Sequence, residues 1–400
     1  MSLNHTPSSE RVHIALFGRR NPGKSSVINA ITSQQLAIVS EIEGTTTDPV
    51  YKSMELLPIG PVVLIDTAGL DDEGSLGVLR IQKSYQVLNK TDIAVLIVDS
   101  TKGLSELELH LIARFRAKEI PFVIAFNKAD LAEPPIPYDL ENCIGISAKS
   151  GHNITELKEL IARQRKPATS PKMLVADLLK PNDFVVLVIP IDGAAPKGRL
   201  ILPQQQTIRD ILDAHAIPLC VQVEELSGLL SSLGQTPKLV ITDSQAFAQV
   251  SEIVPPQIPL TSFSILFSRY KGNLEAAIKG AAFLDQLNGG DHILICEGCT
   301  HHRQCEDIGT VKLPGWISGY TGKDLHFSFT SGTEFPMDLS PYRLIIHCGG
   351  CMLNEREMKH RNRTAREQKI PMTNYGIAIA YMNGILKRAV EPFSELIKYL

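Results

Sequence analysis

Gly18-Arg19-Arg20-Asn21-Pro22-Gly23-Lys24-Ser25 decides the fold of the first third of the chain. It follows the short apolar run His13–Phe17 and opens a helix-like stretch. A glycine-framed turn between strand and helix gathers backbone N–H groups where an anion is stabilised. Gly18, Asn21, Gly23 and Ser26 lie along the loop that would wrap phosphates. Lys24 would reach the β/γ-phosphate oxygens, and Ser25 would hold Mg²⁺.

The rest of the first third has the pattern such a loop requires. Val62–Ile65, Ala94–Val98 and Phe122–Phe126 are further short apolar runs, each ending in a polar or glycine loop. Buried parallel strands look like this. Ser105–Glu108 and Asn153–Glu156 carry helix-start signals. Asp66-Thr67-Ala68-Gly69 ends one run, where a carboxylate can hold a Mg²⁺-bound water and a glycine N–H can meet a γ-phosphate. Asn127-Lys128-Ala129-Asp130 ends another. The Asp130 carboxylate can accept two hydrogen bonds, from guanine N1–H and the 2-amino group. Adenine offers no such pair, so the nucleotide is GTP. Ser147-Ala148-Lys149 supplies a further base contact. Gly44-Thr45-Thr46-Thr47-Asp48 precedes the strand-like Val50–Leu57 and reads as a switch, with Thr46 the Mg²⁺ ligand. Each string alone is more often an exposed turn; all five in this order and spacing are not.

This set resembles the GTPases of bacterial tRNA modification and ribosome assembly, over residues 10–165. The resemblance implies that Asn21 helps bind K⁺, whose charge stands where an arginine finger would act. Leu70 replaces the glutamine that orients water in many GTPases, and Leu79 stands roughly where some relatives carry a glutamate. Hydrolysis is therefore expected to be slow and K⁺-stimulated. Lys24 and Thr46 are its only catalytic candidates, and no general base is assigned.

After Ile161 the polar stretch Arg163-Gln-Arg-Lys-Pro-Ala-Thr-Ser-Pro171 reads as a linker. A second α/β segment follows. Phe184–Ile191, Pro218–Val223 and Leu239–Thr242 are strand-like and Gln206–Ala214 helical, with no obvious catalytic constellation. A third segment has two strands, His292–Cys296 and Leu344–His347, each opening into a cysteine loop. Met372–Val390 reads as helical despite two glycines. The expected fold class is α/β throughout: a P-loop domain over 1–168, a middle α/β domain over 169–270 and a C-terminal α/β domain over 271–400.

The C-terminal loops carry Cys299-Thr300-His301 and His347-Cys348-Gly349-Gly350-Cys351. Cys348 and Cys351 offer two thiolates on one tight glycine turn, and Cys299 a third from the other loop. If the two strands are neighbours, the thiols converge beyond their C-terminal ends, where open α/β sheets bind ligands. Soft thiolates suit an iron–sulfur cluster or zinc. Pairing Cys296/Cys299 with Cys348/Cys351 would make a Cys₄ zinc site, but the gap far exceeds the roughly 15–20 residues of a zinc ribbon. His301 and His347 each flank a ligand cysteine, as ligand, outer-shell donor or plain loop residue. Glu306 and Cys305 are further candidates for a fourth position. Cys143 and Cys220 read as core residues.

The chain has 400 residues and a formal net charge of -3, so no global nucleic-acid footprint exists. No apolar run approaches the roughly 20 residues that span a bilayer, and MSLNHTPSSERVH lacks a signal-peptide core. The seven cysteines are odd in number and concentrated late in the chain, which favours metal binding in a reducing compartment over disulfides. A cytoplasmic protein without membrane or nucleic-acid partner is expected.

A GTPase segment, a middle α/β segment and a C-terminal CxH…HCxxC pattern together resemble the maturation GTPases of [FeFe]-hydrogenase, over nearly the whole chain. The resemblance implies a dimerising middle domain, possibly with higher oligomers. It implies a [4Fe–4S] cluster on Cys299, Cys348 and Cys351, with His301, His347 or Glu306 at the fourth iron. It also implies a scaffold and carrier role for a transient di-iron subcluster precursor. Radical-SAM maturases would load that precursor, and apo-[FeFe]-hydrogenase would receive it. The alternative is a ribosome- or RNA-associated GTPase with structural zinc.

Overall fold

The computed structural model describes residues 6–32, 49–71, 74–138, 140–165, 172–191, 200–298, 308–393 and 398, with the side chains of 74–79 left aside. They form two compact units, divided between Thr169 and Ser170. Each is a mixed α/β body.

The first unit runs β1 (Val12–Phe17), α1 (Lys24–Thr32), β2 (Val50–Leu56), β3 (Gly60–Asp66), α2 (Gly74–Val87), β4 (Ile93–Asp99), α3 (Glu106–Ala117), β5 (Phe122–Asn127), β6 (Cys143–Gly145) and α4 (Ile154–Arg163). Its sheet has the order β2-β3-β1-β4-β5-β6. Only β2 is antiparallel, against β3. Successive strand residues point to opposite faces, so each strand feeds two cores. Ile14, Leu16, Leu64, Val95 and Ile97 pack under α1 and α4. Ala15, Phe17, Ile65, Leu96 and Val98 face Leu111 and Phe115 of α3. All seven residues of β4 are buried, as expected of a strand covered on both sides.

Helix starts show where sequence reading holds and where it does not. Ser105 and Glu108 form a reciprocal capping box at α3. Asn153 does not cap α4; its backbone is left-handed (φ 55°), and its Nδ2 donates to Gly145 O at 2.8 Å instead. An asparagine tolerates that backbone when its side chain bonds locally.

The second unit continues with β7 (Phe184–Val188), α5 (Leu202–Asp213), β8 (Ile217–Val221), α6 (Val223–Ser232), β9 (Leu239–Thr242), α7 (Phe247–Ile253), β10 (Leu260–Ser262), α8 (Phe263–Tyr270) and α9 (Leu274–Ala281). Then come β11 (His292–Cys296), α10 (Leu313–Thr321), β12 (His326–Thr330), β13 (Leu344–His347), α11 (Glu355–Glu367), β14 (Met372–Asn374), α12 (Tyr375–Met382) and α13 (Leu386–Val390). Two four-stranded parallel sheets result, ordered β10-β9-β7-β8 and β12-β11-β13-β14. α12 and α13 join the core of the first sheet: Val186, Leu187 and Ile241 belong to one cluster with Ile377, Ala380, Leu386 and Phe393, while the strands of the second sheet feed two further clusters.

Two expectations fail here. Met372–Val390 is not one helix; it opens as β14, and the chain turns at Gly384 (φ 69°) before α13. Cys220 is not a core residue but is exposed; Cys143 is half-buried and packs against the core that faces α3. Cys220 lies on β8, which among the described residues is an edge strand, a position that an apolar run alone does not reveal. No helix among the described residues is long and apolar enough to cross a membrane.

Candidate functional site

The first site grows from the C-terminal ends of β1, β3 and β5. Lys24 begins α1 and is buried, with Nζ donating to Gly18 O (3.3 Å) and Arg19 O (2.5 Å). These carbonyls hold the ammonium within the loop that would wrap phosphates. Gly23 has φ 93°, and a Cβ there would sit 2.3 Å from Asn127 Nδ2, so only glycine fits. Asn21 also takes a left-handed backbone (φ 60°) and is exposed. Ser26 follows in α1, partly exposed.

Ser25 Oγ donates to Asp66 Oδ2 at 2.5 Å. The other oxygen, Oδ1, is buried with no hydrogen-bond partner. Burial pushes the Asp66 carboxyl up, against the Ser25 bond and the charge of Lys24. A desolvated carboxylate with an orphan oxygen beside a serine hydroxyl suits a hard divalent cation. Thr46 lies outside the described residues.

Asn127 braces the site. Its Nδ2 donates to Pro22 O (2.8 Å), and its Oδ1 accepts from Ala148 N (3.0 Å). One buried amide thus ties the phosphate loop to the base-side loop. Lys128 is left-handed (φ 67°) and pairs with Asp99 at 2.6 Å. Asp130 accepts from Ser147 Oγ at 2.7 Å; that bond is the largest cause holding its carboxyl below the usual range, helped by Lys149 and Lys128. Asp130 is therefore an oriented anion at neutral pH. Lys149 is exposed beside it.

Sequence reading missed Asp71. Its Oδ1 accepts the Arg20 N–H at 2.6 Å, and Leu70 N donates to Gly18 O at 3.3 Å. The segment after Gly69 thus lies directly on the phosphate loop. The acidic run Asp71-Asp72-Glu73 was the available signal.

The second site lies in the other unit. β11 and β13 are parallel neighbours, with Cys296 opposite His347. Both cysteine loops therefore leave the same end of the sheet. Cys348 N donates to Cys296 O at 2.8 Å. Cys348 Sγ accepts the N–H of Gly298 at 3.0 Å and that of Gly350 at 3.4 Å. Gly298 immediately precedes Cys299, which lies outside the described residues together with His301, Cys305 and Glu306. Gly350 (φ 64°) turns the chain back to Cys351, and a Cβ there would meet Met358 Sδ at 2.8 Å.

Burial pushes the Cys348 thiol up, against the two N–H donors and Arg361. Burial likewise raises Cys351 to about 11, opposed by Lys271. Such thiols ionise when a metal takes the proton's place. N–H groups aimed at sulfur are what a metal-bound thiolate accepts, so the residues present fit a thiolate-ligated centre. Among the described residues alone, no group of three or more His, Cys, Asp or Glu side chains is assembled. Cys296 is fully buried within β11 and stays with the strand, its thiol raised to about 11 by burial.

His347 is buried with both ring nitrogens engaged. Nδ1 contacts Cys348 O at 2.8 Å, and Nε2 contacts Arg361 Nη1 at 2.9 Å. Burial, then the Arg361 charge, lowers its pKa to about 3.

Residues 174–272 match the hydrogen maturase F dimerization domain, and residues 275–392 match the hydrogen maturase F tetramerization domain. The chain belongs to the hydrogen maturase F family. In this family member, residues 13–128 match the 50S ribosome-binding GTPase model. The G segment is also similar to tRNA modification GTPase MnmE. It is 33% identical to that of Bordetella petrii over 150 residues, 37% of this chain and 32% of the relative. It is 39% identical to that of Synechococcus sp. (strain CC9902) over 127 residues, 32% of this chain and 28% of the relative. The chain thus spans about a third of the length of the curated relatives it matches. Among solved structures, Era of Aquifex aeolicus bound to GDP·AlF4⁻ aligns with TM-score 0.36 and 19% identity, covering 56% of this chain and 98% of that one. Elongation factor SelB of Methanococcus maripaludis aligns with TM-score 0.33 and 20% identity, covering 48% and 40%.

Proposed function

We propose that this chain is a GTP-hydrolysing maturation factor that carries the di-iron precursor of the [FeFe]-hydrogenase active site and delivers it to the apo-enzyme. One observation carries the reading. The thiol pair Cys348/Cys351 and the strand leading to Cys299 leave one end of one sheet, in a chain whose sequence also carries the guanine-nucleotide motifs. Two hydrogen maturase F domain models support it.

Working domain bounds are 1–168 for GTP, 169–270 for dimerisation and 271–400 for the cluster. In the G domain, Ser25, Asp66 and Thr46 hold Mg²⁺, Asn21 contributes to K⁺ binding, and Asp130 with Ser147–Lys149 reads guanine. Turnover is slow, because Leu70 cannot orient water. In the C-terminal domain, Cys299, Cys348 and Cys351 hold a [4Fe–4S] cluster. When bound, it supplies an iron with an exchangeable ligand, to which His301 or Glu306 is near in sequence. The glycine N–H groups at Cys348 orient its sulfur, and Lys271, bonded to Leu353 O at 2.9 Å, anchors the loop. The domain models named for dimerization and tetramerization support a homo-oligomer. Radical-SAM maturases load the precursor, in the cytoplasm.

The test is anaerobic reconstitution. Brown protein with iron and sulfide near one [4Fe–4S] per chain is expected. Cys299→Ala, Cys348→Ala or Cys351→Ala should strip the iron, while Lys24→Ala should retain it and lose GTP hydrolysis. Colourless protein binding one zinc would refute the reading and favour an RNA-associated GTPase.

A further inference from the structure

The sequence offers His347 as a candidate ligand, since it adjoins Cys348. The hydrogen bonds around it assign another task. Arg361 lies on α11 and is fully buried. Its guanidinium is spoken for on every side: Nε to Glu357 Oε1 at 2.9 Å, Nη1 to His347 Nε2 at 2.9 Å, and Nη2 to Gly332 O at 2.8 Å. Its plane also lies over the Phe335 ring, 5.2 Å from the centroid. Glu357 is fixed in turn, with its N–H capped by Asn354 Oδ1 at 3.0 Å at the start of α11.

Arginine has N–H donors and no acceptor. Nη1 must therefore donate, and His347 Nε2 must accept with its lone pair. A neutral imidazole has one acceptor and one donor nitrogen, so Nδ1 carries the proton. At 2.8 Å from Cys348 O, it donates to that carbonyl. Neither ring nitrogen has a lone pair left for iron. Turning the ring toward the cysteines would strand a buried guanidinium N–H, costing more than an ordinary hydrogen bond.

We propose, resting on the cluster reading above, that His347 is a positioning residue and not a cluster ligand: Arg361 and Glu357 fix its tautomer, and its Nδ1–H holds the Cys348 carbonyl so that the Cys348–Cys351 turn presents both sulfurs. The chain runs Glu357, Arg361, His347, Cys348, from a helix to a ligand, as outer-shell partners of metal sites do.

The experiment compares His347→Gln with His347→Leu in reconstituted full-length protein. A glutamine amide can accept from Arg361 and donate to the Cys348 carbonyl; leucine can do neither. His347→Gln should keep wild-type iron content and the wild-type EPR spectrum of the reduced cluster. His347→Leu should lose iron to a chelator roughly 10–100-fold more readily. A second measurement avoids dependence on folding of the leucine variant. ¹⁵N-histidine labelling with pulsed EPR in a His301→Ala/His302→Ala background should show no strongly coupled histidine nitrogen. Such a coupling, abolished by His347→Gln, would overturn the proposal, as would equal iron loss in both variants. Wild-type protein that takes up no iron would instead sink the cluster reading itself.

Discussion

Removing the Asn127 side chain should separate nucleotide affinity from base selectivity. Asn127→Ala deletes both bonds of the brace and leaves Pro22 O and Ala148 N without their partner. An unsatisfied buried backbone group costs about 1–3 kcal/mol. Pro22 is buried and Ala148 half-buried, so a total of roughly 2–4 kcal/mol is reasonable. Nucleotide binding needs both loops in place. If the whole cost falls on that equilibrium, affinity drops roughly 30- to 700-fold. Preference for guanine over adenine nucleotides should persist, because Asp130 keeps its Ser147 bond. Titration with fluorescent GDP and ADP analogues reads both quantities, and thermal unfolding reports any part of the cost taken as stability. Wild-type affinity together with wild-type unfolding would refute the brace. So would a loss of guanine preference, which would mean that Asn127 acts on the base.

Asp130→Asn should weaken GTP and relatively favour xanthosine triphosphate, since the amide replaces one acceptor by a donor; competition binding with the two nucleotides checks it. Replacing K⁺ by Na⁺ should slow phosphate release, and Asn21→Ala should remove the difference; equal wild-type rates in both salts would reject the cation site. Acid should weaken the G unit through His13. Burial lowers its pKa from 6.5 to about 4, so between those values the unfolded chain binds more protons and stability falls as pH falls. The loss by pH 5 is about 2 kcal/mol. Hydrogen exchange of β1, corrected for intrinsic rates, should show it, and His13→Phe should remove the His13 part of the pH dependence.

What the sequence discloses follows a physical division. Strands buried on both faces are written as apolar runs, so Leu239–Thr242, His292–Cys296 and Leu344–His347 stand where their composition puts them. The loop after such a strand is written in residue types that tolerate unusual backbone, so Gly18–Ser25 and Cys348–Cys351 are also legible. Pairing is not written that way. Pro218–Val223 reads as a strand and Cys220 as a core residue, yet β8 forms an edge and exposes Cys220.

Long-range polar contacts are harder still. α11 is rich in charge, and none of its residues is singled out by the sequence. Its buried line, Glu357, Met358, Arg361 and Ala365, follows helical spacing, but two of the four are ions, which a hydrophobic pattern passes over. Arg361 becomes meaningful only once the turn after β13 folds α11 back so that His347 meets its guanidinium. The same holds for Asp71, whose carboxylate matters because folding sets it against the Arg20 N–H. Ligating residues announce themselves by type and spacing, because metals and phosphates demand particular donors. Residues that orient those donors need only the right hydrogen-bond polarity at the right place. Many residue types can supply that, so their roles emerge from the fold.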